Sequence, residues 1–268
     1  MRTLVFPDRA GAVAAAASAV VAQLRQQPES VLGLATGGTM EALYEALIGA
    51  YRRGEVSFCG ARSFNLDEYI GLSPEHPQSY AHYMQRRFFQ HVDFPADATY
   101  LPDGASSEPE AAAGAYEADI LRLGPIDLQL LGLGRNGHIG FNEPSSSLAS
   151  RTRATRLTPS TLTANSRFFA RGESQPSHAI TMGIATILSA REILLLATGA
   201  EKAEAVAQLV EGPVSAFWPC TALQMHRDVT VILDEPAARD LRMVDHYRRD
   251  DGIGQADPVS IGVAQTGA

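Results

Sequence analysis

Residues 126–144 read Ile-Asp-Leu-Gln-Leu-Leu-Gly-Leu-Gly-Arg-Asn-Gly-His-Ile-Gly-Phe-Asn-Glu-Pro. The first eight, IDLQLLGL, lack the polar alternation of a half-solvated strand and predict one buried on both faces. A glycine-rich loop around His138 follows at once. A buried strand that feeds such a loop points to an α/β protein, in which ligands sit beyond the carboxyl ends of parallel strands.

Working outward, the same unit recurs. Short apolar runs at 3–6, 30–35, 61–66, 193–197 and 229–233 predict further strands. Helical stretches are expected at 10–26, 40–53, 78–89 and 201–211, with another helix closing over 116–123. Strands without strict alternation, each followed by a helix, predict an α/β fold with a mostly parallel sheet and helices on both faces. Residues 1–249 read as one α/β domain. Residues 250–268, rich in Gly, Asp and small side chains, read as a flexible tail.

Net charge is −8 and the pI is near 5.4, a balance that disfavours nucleic acid or an anionic membrane as partner. No apolar run approaches the length of a membrane span. The Ala/Val-rich stretch 11–22 follows Pro7, Asp8 and Arg9, which suits an early helix better than a secretory leader. Cys59 and Cys220 fall in no metal-binding spacing, so both read as small buried hydrophobes of a cytoplasmic protein, with no disulfide and no metal expected.

Three clusters follow predicted strands. Thr36-Gly37-Gly38-Thr39 opens a helix, where free N–H groups and a side-chain-free backbone favour an anion. It is neither a Walker loop nor GxGxxG, so no nucleotide is implied. Asp67 and Glu68 end the run Phe64-Asn65-Leu66 and offer a general base, although an aspartate there also suits a turn or helix cap. His138 lies among four glycines, with Glu143 five residues on to orient or charge-match its ring. Arg151, Arg153, Arg156 and Arg167 crowd a Ser/Thr-rich segment suited to phosphate, and Lys202 follows the strand ILLLA in a strand–turn–helix placement.

Taken together, TGGT, FNLDEYIGL, EHPQSY, GRNGHIGFNEP, SSLASRTR, TANSRFF and ILSAREILLLATGAEKAEAV resemble the glucosamine-6-phosphate deaminases, in order from about residue 31 to 241. The resemblance implies a Rossmann-like sheet of the kind found in ribose-phosphate isomerase, and a cytoplasmic enzyme of amino-sugar catabolism that needs no cofactor. It implies that His138 opens the sugar ring, and that Asp67 takes the C2 proton and returns one to C1. Fructose 6-phosphate and ammonia would result. Asn136 and Glu143 would support His138, while Thr36, Gly37, Gly38, Thr39, Arg167 and Lys202 would hold the phosphate.

Such a protein has a small-molecule partner only, apart from a possible homo-oligomer, since members occur as hexamers and as monomers. Three departures stand out, one being that a C-terminal tyrosine of the family's regulatory site has no counterpart in register, Tyr247 lying one position off. Well-known members carry Asp at the position of Asn136, and allosterically regulated ones carry Lys at that of Thr155, so activation by N-acetylglucosamine 6-phosphate is not expected. The related 6-phosphogluconolactonases share the sheet and a similar histidine loop but not DEYIGL or SLASRTR. A preference for the galacto epimer stays open, because the C4 contact is a matter of geometry. A non-catalytic sugar-phosphate sensor would be marked by loss of Asp67 or His138, and both are present.

Overall fold

In the computed structural model the described residues are 1–166, 169 and 174–249. They run β1 (Arg2–Phe6), α1 (Arg9–Gln26), β2 (Val31–Leu34), α2 (Gly38–Arg52), β3 (Arg62–Asn65), β4 (Asp67–Tyr69), α3 (Tyr80–Arg87), β5 (Thr99–Tyr100), α4 (Pro109–Leu123) and β6 (Leu128–Leu131). Then come β7 (Arg153–Arg156), α5 (Pro159–Asn165), β8 (His178–Thr181), α6 (Ile184–Ile187), β9 (Glu192–Ala197), α7 (Ala203–Glu211), β10 (Val229–Asp234), α8 (Glu235–Ala238) and α9 (Val244–Arg249). The tail 250–268 and Arg167 lie outside the described residues.

Seven strands form one sheet in the order β1-β10-β9-β6-β2-β3-β5, with every neighbouring pair parallel. All residues of β2 and β6 are buried, so both faces of the sheet centre are covered. The polar exception in β6, Gln129, lies over Gly33 of the adjacent strand. A Cβ at Gly33 would meet its amide oxygen at 2.1 Å, so any larger residue there would have to displace the Gln129 amide. The chain runs outward from β2 through β3 to β5, then returns to β6 beside β2. The strand order therefore reverses between β2 and β6, the crevice where sheets of this kind bind ligands.

The helices follow their sequences. Asp8 caps α1 by accepting from Gly11 N at 2.8 Å, and α1 buries Ala12, Val13, Ala16, Ala17, Val20, Val21 and Leu24. Gly37, at φ +110°, turns β2 into α2, a conformation L side chains rarely adopt.

A second sheet, antiparallel and ordered β4-β8-β7, has no counterpart in the sequence reading. It makes Asp67 the first residue of a strand, paired with Thr181, instead of a helix cap or turn residue. A small aromatic core of Tyr69, Leu72, Phe141, Leu157 and Ala179 fills the space beside it. The cysteine expectation needs correction in part. Cys220 is buried, with its thiol pushed up to about 12 by burial, whereas Cys59 is exposed beside Ser57. Among the described residues no helix is long and apolar enough to cross a membrane.

Candidate active site

The loop leaving β6 is folded on itself. Gly137 N donates to Gly134 O at 3.0 Å and Gly134 N to His138 O at 2.9 Å, which makes 134–137 a tight turn with Arg135 and Asn136 at its centre. The His138 ring lies flat against Gly134, where a Cβ would come within 2.4 Å of its Nδ1. Gly137, at φ +78°, sits under the Trp218 indole in the same way. The glycines here give the histidine its seat.

His138 Nδ1 lies 2.7 Å from Asn136 Oδ1 and 3.5 Å from Glu143 Oε2. Asn136 Nδ2 donates to Glu143 Oε2 at 2.8 Å, and Thr161 Oγ1 donates to Glu143 Oε1. Burial pushes the Glu143 carboxyl up, but His138, Thr161 and Asn136 together outweigh it and hold the group down at about 2. It is therefore an anion at every working pH, one amide away from the imidazole.

Asp67 reaches the same loop from β4. Its Oδ2 is 3.5 Å from where a Cβ would stand on Gly140, two residues past His138. The side chain is buried, and burial, then the charge of Glu68, raise its carboxyl to about 8. Glu68 points to other work. Its Oε1 accepts from Tyr69 N at 2.8 Å and Tyr80 N at 2.9 Å, and its Oε2 from Ala81 N at 2.8 Å. Glu68 thus satisfies free N–H groups at the start of α3 while its neighbour faces the histidine loop.

The Thr36–Thr39 segment leaves β2 on the other side of the crevice. Gly37 and Gly38 are exposed, and a Cβ on either would meet nothing within 4 Å, so the loop presents open backbone. Its outer edge is tied by Tyr83 Oη donating to Gly37 O at 3.2 Å and Arg9 Nη2 donating to Gly38 O at 2.9 Å. The Tyr80 hydroxyl hydrogen-bonds the Thr36 side chain and lies 3.4 Å from the Tyr69 hydroxyl, linking this loop to the Asp67 strand. Lys202 stands in a 3-10 turn (Ala200–Lys202) after β9, the strand beside β6. Burial lowers its pKa, with Glu201 opposing and Arg135 adding to the effect.

Asp67, Asn136, His138, Glu143, Thr36, Gly37, Gly38, Thr39 and Lys202 thus all follow strands at one edge of the structure. Arg167 lies outside the described residues. Among the described residues, the other three arginines of the expected cluster turn to separate surroundings. Arg151 pairs with Glu117 at 3.3 Å, Arg153 donates to Asn142 Oδ1 at 2.9 Å and to Ser146, and Arg156 is exposed. Sequence reasoning missed the roles of Tyr80, Thr161 and Trp218. Only the position of Tyr80 in EHPQSY carried any signal. Among the described residues no group of three or more His, Cys, Asp or Glu is arranged to hold a metal ion.

Residues 7–232 match the family model described as glucosamine-6-phosphate isomerases/6-phosphogluconolactonase. A glucosamine-6-phosphate deaminase of Hahella chejuensis is 53% identical over 248 residues, spanning 92% of this chain and 95% of the relative. One from Rhodopirellula baltica is 55% identical over 234 residues, 87% of this chain and 93% of the other. Among solved structures, a monomeric glucosamine-6-phosphate deaminase superposes with a TM-score of 0.87 at 45% identity, covering 90% of this chain and 100% of that one. A 6-phosphogluconolactonase from Trypanosoma cruzi shares the fold, with a TM-score of 0.72 at 21% identity over 90% and 97% of the two chains.

Proposed function

The chain belongs to the glucosamine-6-phosphate isomerase and 6-phosphogluconolactonase family, and we propose that it converts glucosamine 6-phosphate to fructose 6-phosphate and ammonia. The observation that carries this reading is the approach of the Asp67 carboxylate to the His138 loop at the point where the strand order reverses. Proton abstraction beside a nascent carbonyl calls for a carboxylate, and ring opening calls for a group that gives and takes protons near neutrality.

In this scheme His138 moves a proton from the anomeric hydroxyl to the ring oxygen and frees the C1 aldehyde. Asp67 removes the C2 proton to give a cis-enolamine and returns a proton to C1. Water adds to the resulting C2 iminium, and ammonia leaves. Asn136 holds the imidazole, and the Glu143 carboxylate behind it offsets the positive charge. The 36–39 loop, Lys202 and Arg167 take the phosphate. The cytoplasm suits an enzyme with an exposed thiol at Cys59 and an unpaired one at Cys220.

The test is release of ammonia coupled to formation of fructose 6-phosphate, with glucosamine 6-phosphate, its galacto epimer and 6-phosphogluconolactone as rival substrates. Turnover of the gluco substrate at least about tenfold faster than of either rival is the expected result. Hydrolysis of the lactone without ammonia release would overturn the reading.

A further inference from the structure

Arg135 takes no part in the scheme above, yet its loop leaves β6 beside the crevice where the strand order reverses. The sheet order β9-β6-β2 sets the loop after β6 between the Lys202 turn and the Thr36–Thr39 loop. Gly132, where that loop begins, lies against Met40 of α2, so the loop adjoins the start of that helix. Within the tight turn 134–137, Arg135 and Asn136 hold the two central positions. Asn136 is committed to His138 and Glu143, whereas Arg135 is exposed.

Its surroundings are unusual for an arginine in a chain of net charge −8. Among the described residues neither Arg135 nor Lys202 is paired with a carboxylate. Instead the two cations lie within electrostatic reach of each other, and Arg135 disfavours the charge on Lys202. Glu201 counters that repulsion at Lys202 without pairing with either cation, and an anion between the two would meet both charges. The guanidinium adds what an ammonium lacks, two parallel donors matched to phosphate oxygens.

We propose that Arg135 is a further cation for the substrate phosphate, acting with Lys202 across the crevice from the Gly37–Gly38 backbone. This rests on the sugar-phosphate reading above and extends it to a residue that the resemblance did not assign. Arg135 acts on binding and leaves the proton transfers to Asp67 and His138.

The experiment uses the full chain with Arg135→Ala and Arg135→Lys, and Arg191→Ala as a charge control. Arg191 pairs with Asp127 at the opposite edge of the sheet. Two quantities are read: KM for glucosamine 6-phosphate, and the dissociation constant of inorganic phosphate measured by calorimetry without turnover. For Arg135→Ala both should rise roughly three- to tenfold, the effect of losing one exposed charged contact, with kcat within about threefold of wild type. Arg135→Lys should recover part of the loss, and Arg191→Ala should change neither quantity. Unchanged phosphate affinity in Arg135→Ala would overturn the proposal, as would a fall in kcat with KM and phosphate affinity intact. A wild type that binds phosphate through Arg135 but releases no ammonia would instead refute the proposed reaction.

Discussion

His138 Nδ1 lies closer to Asn136 Oδ1, at 2.7 Å, than to the carboxylate of Glu143, at 3.5 Å. Asn136 is oriented by Glu143, which can only accept and therefore takes the Nδ2 hydrogens. Its oxygen must then face the ring, so Nδ1 carries the proton and Nε2 is left to exchange one with substrate. Asn136→Leu removes this hold and should lower kcat at least about tenfold with little change in KM, part of the 10²–10⁴ that a positioned acid–base group supplies. Asn136→Asp should stay within about tenfold of wild type. Steady-state ammonia release decides it, and a Leu variant with wild-type kcat would refute the role.

The Asp67 carboxyl is raised to about 8 by burial and by Glu68, so the free enzyme holds its base largely protonated below that pH. The value of kcat/KM should therefore climb with pH through this region, because the ionised carboxylate is the active form. Glu68 is the charged neighbour; the Tyr69, Tyr80 and Tyr116 hydroxyls around it have raised pKa values and stay neutral there. Glu68→Gln should move the inflection to lower pH. That comparison separates Asp67 from the substrate's own titrating groups, which the variant leaves alone. An inflection that does not move would exclude Asp67 as its source.

Asp67→Asn should abolish turnover by about 10²–10⁴ yet make the protein more stable. The folded state keeps this proton to a higher pH than the unfolded chain does. Between the ordinary aspartate range and about 8 the folded state binds more protons, so stability falls as pH rises through that window. An uncharged amide escapes the cost. Melting at pH 8 should rise by about 2 °C or more, the shift that about 1 kcal/mol produces in a chain of this size. A lower melting temperature would contradict the assignment.

Lys202→Ala, and Arg167→Ala, should act on the phosphate and not on the chemistry. Hydrogen bonds between charged groups contribute about 1.5–3 kcal/mol, so KM should rise roughly ten- to a hundredfold with kcat near wild type. Unphosphorylated glucosamine should be a very poor substrate of the wild type. Comparable processing of the free sugar would mean that the phosphate contacts lie elsewhere.

Kinetics should be hyperbolic and insensitive to N-acetylglucosamine 6-phosphate. Thr155 offers a neutral hydroxyl where regulated relatives carry a lysine, and Arg153 is already bound to Asn142 and Ser146 with Glu110 in electrostatic reach. Loss of one charged contact, about 1.5–3 kcal/mol, matches the whole coupling energy of a typical allosteric protein, about 1–3 kcal/mol. Substrate saturation curves with and without this ligand provide the measurement. A sigmoid that it converts to a hyperbola would refute the expectation.

The parallel sheet was legible because each of its central strands is apolar on both faces, as in IDLQLLGL, and leads into a helix or glycine loop. The second sheet was not. Its strands DEY, RATR and HAIT are three or four residues long, and only tertiary pairing makes them strands. Asp67 and His138 stood out because strand ends and glycines framed them. The division of labour between Asp67 and Glu68 was invisible, because it depends on α3 arriving from 12 residues further on. For the same reason Arg151 looked free: its partner Glu117 lies 34 residues away.

The adjacent acids of β4 give the site a sensitivity to length. Successive side chains on a strand point to opposite faces, so Asp67 faces the crevice while Glu68 serves α3. Slipping the pairing with β8 by one residue, as an insertion at Leu66 can do, would exchange the faces of the two carboxylates. The longer arm would then enter the crevice and the shorter one would fall short of the α3 backbone. Every residue type in the motif would survive, and the enzyme would still be lost. For this segment, a gap in an alignment is as damaging as a substitution of Asp67.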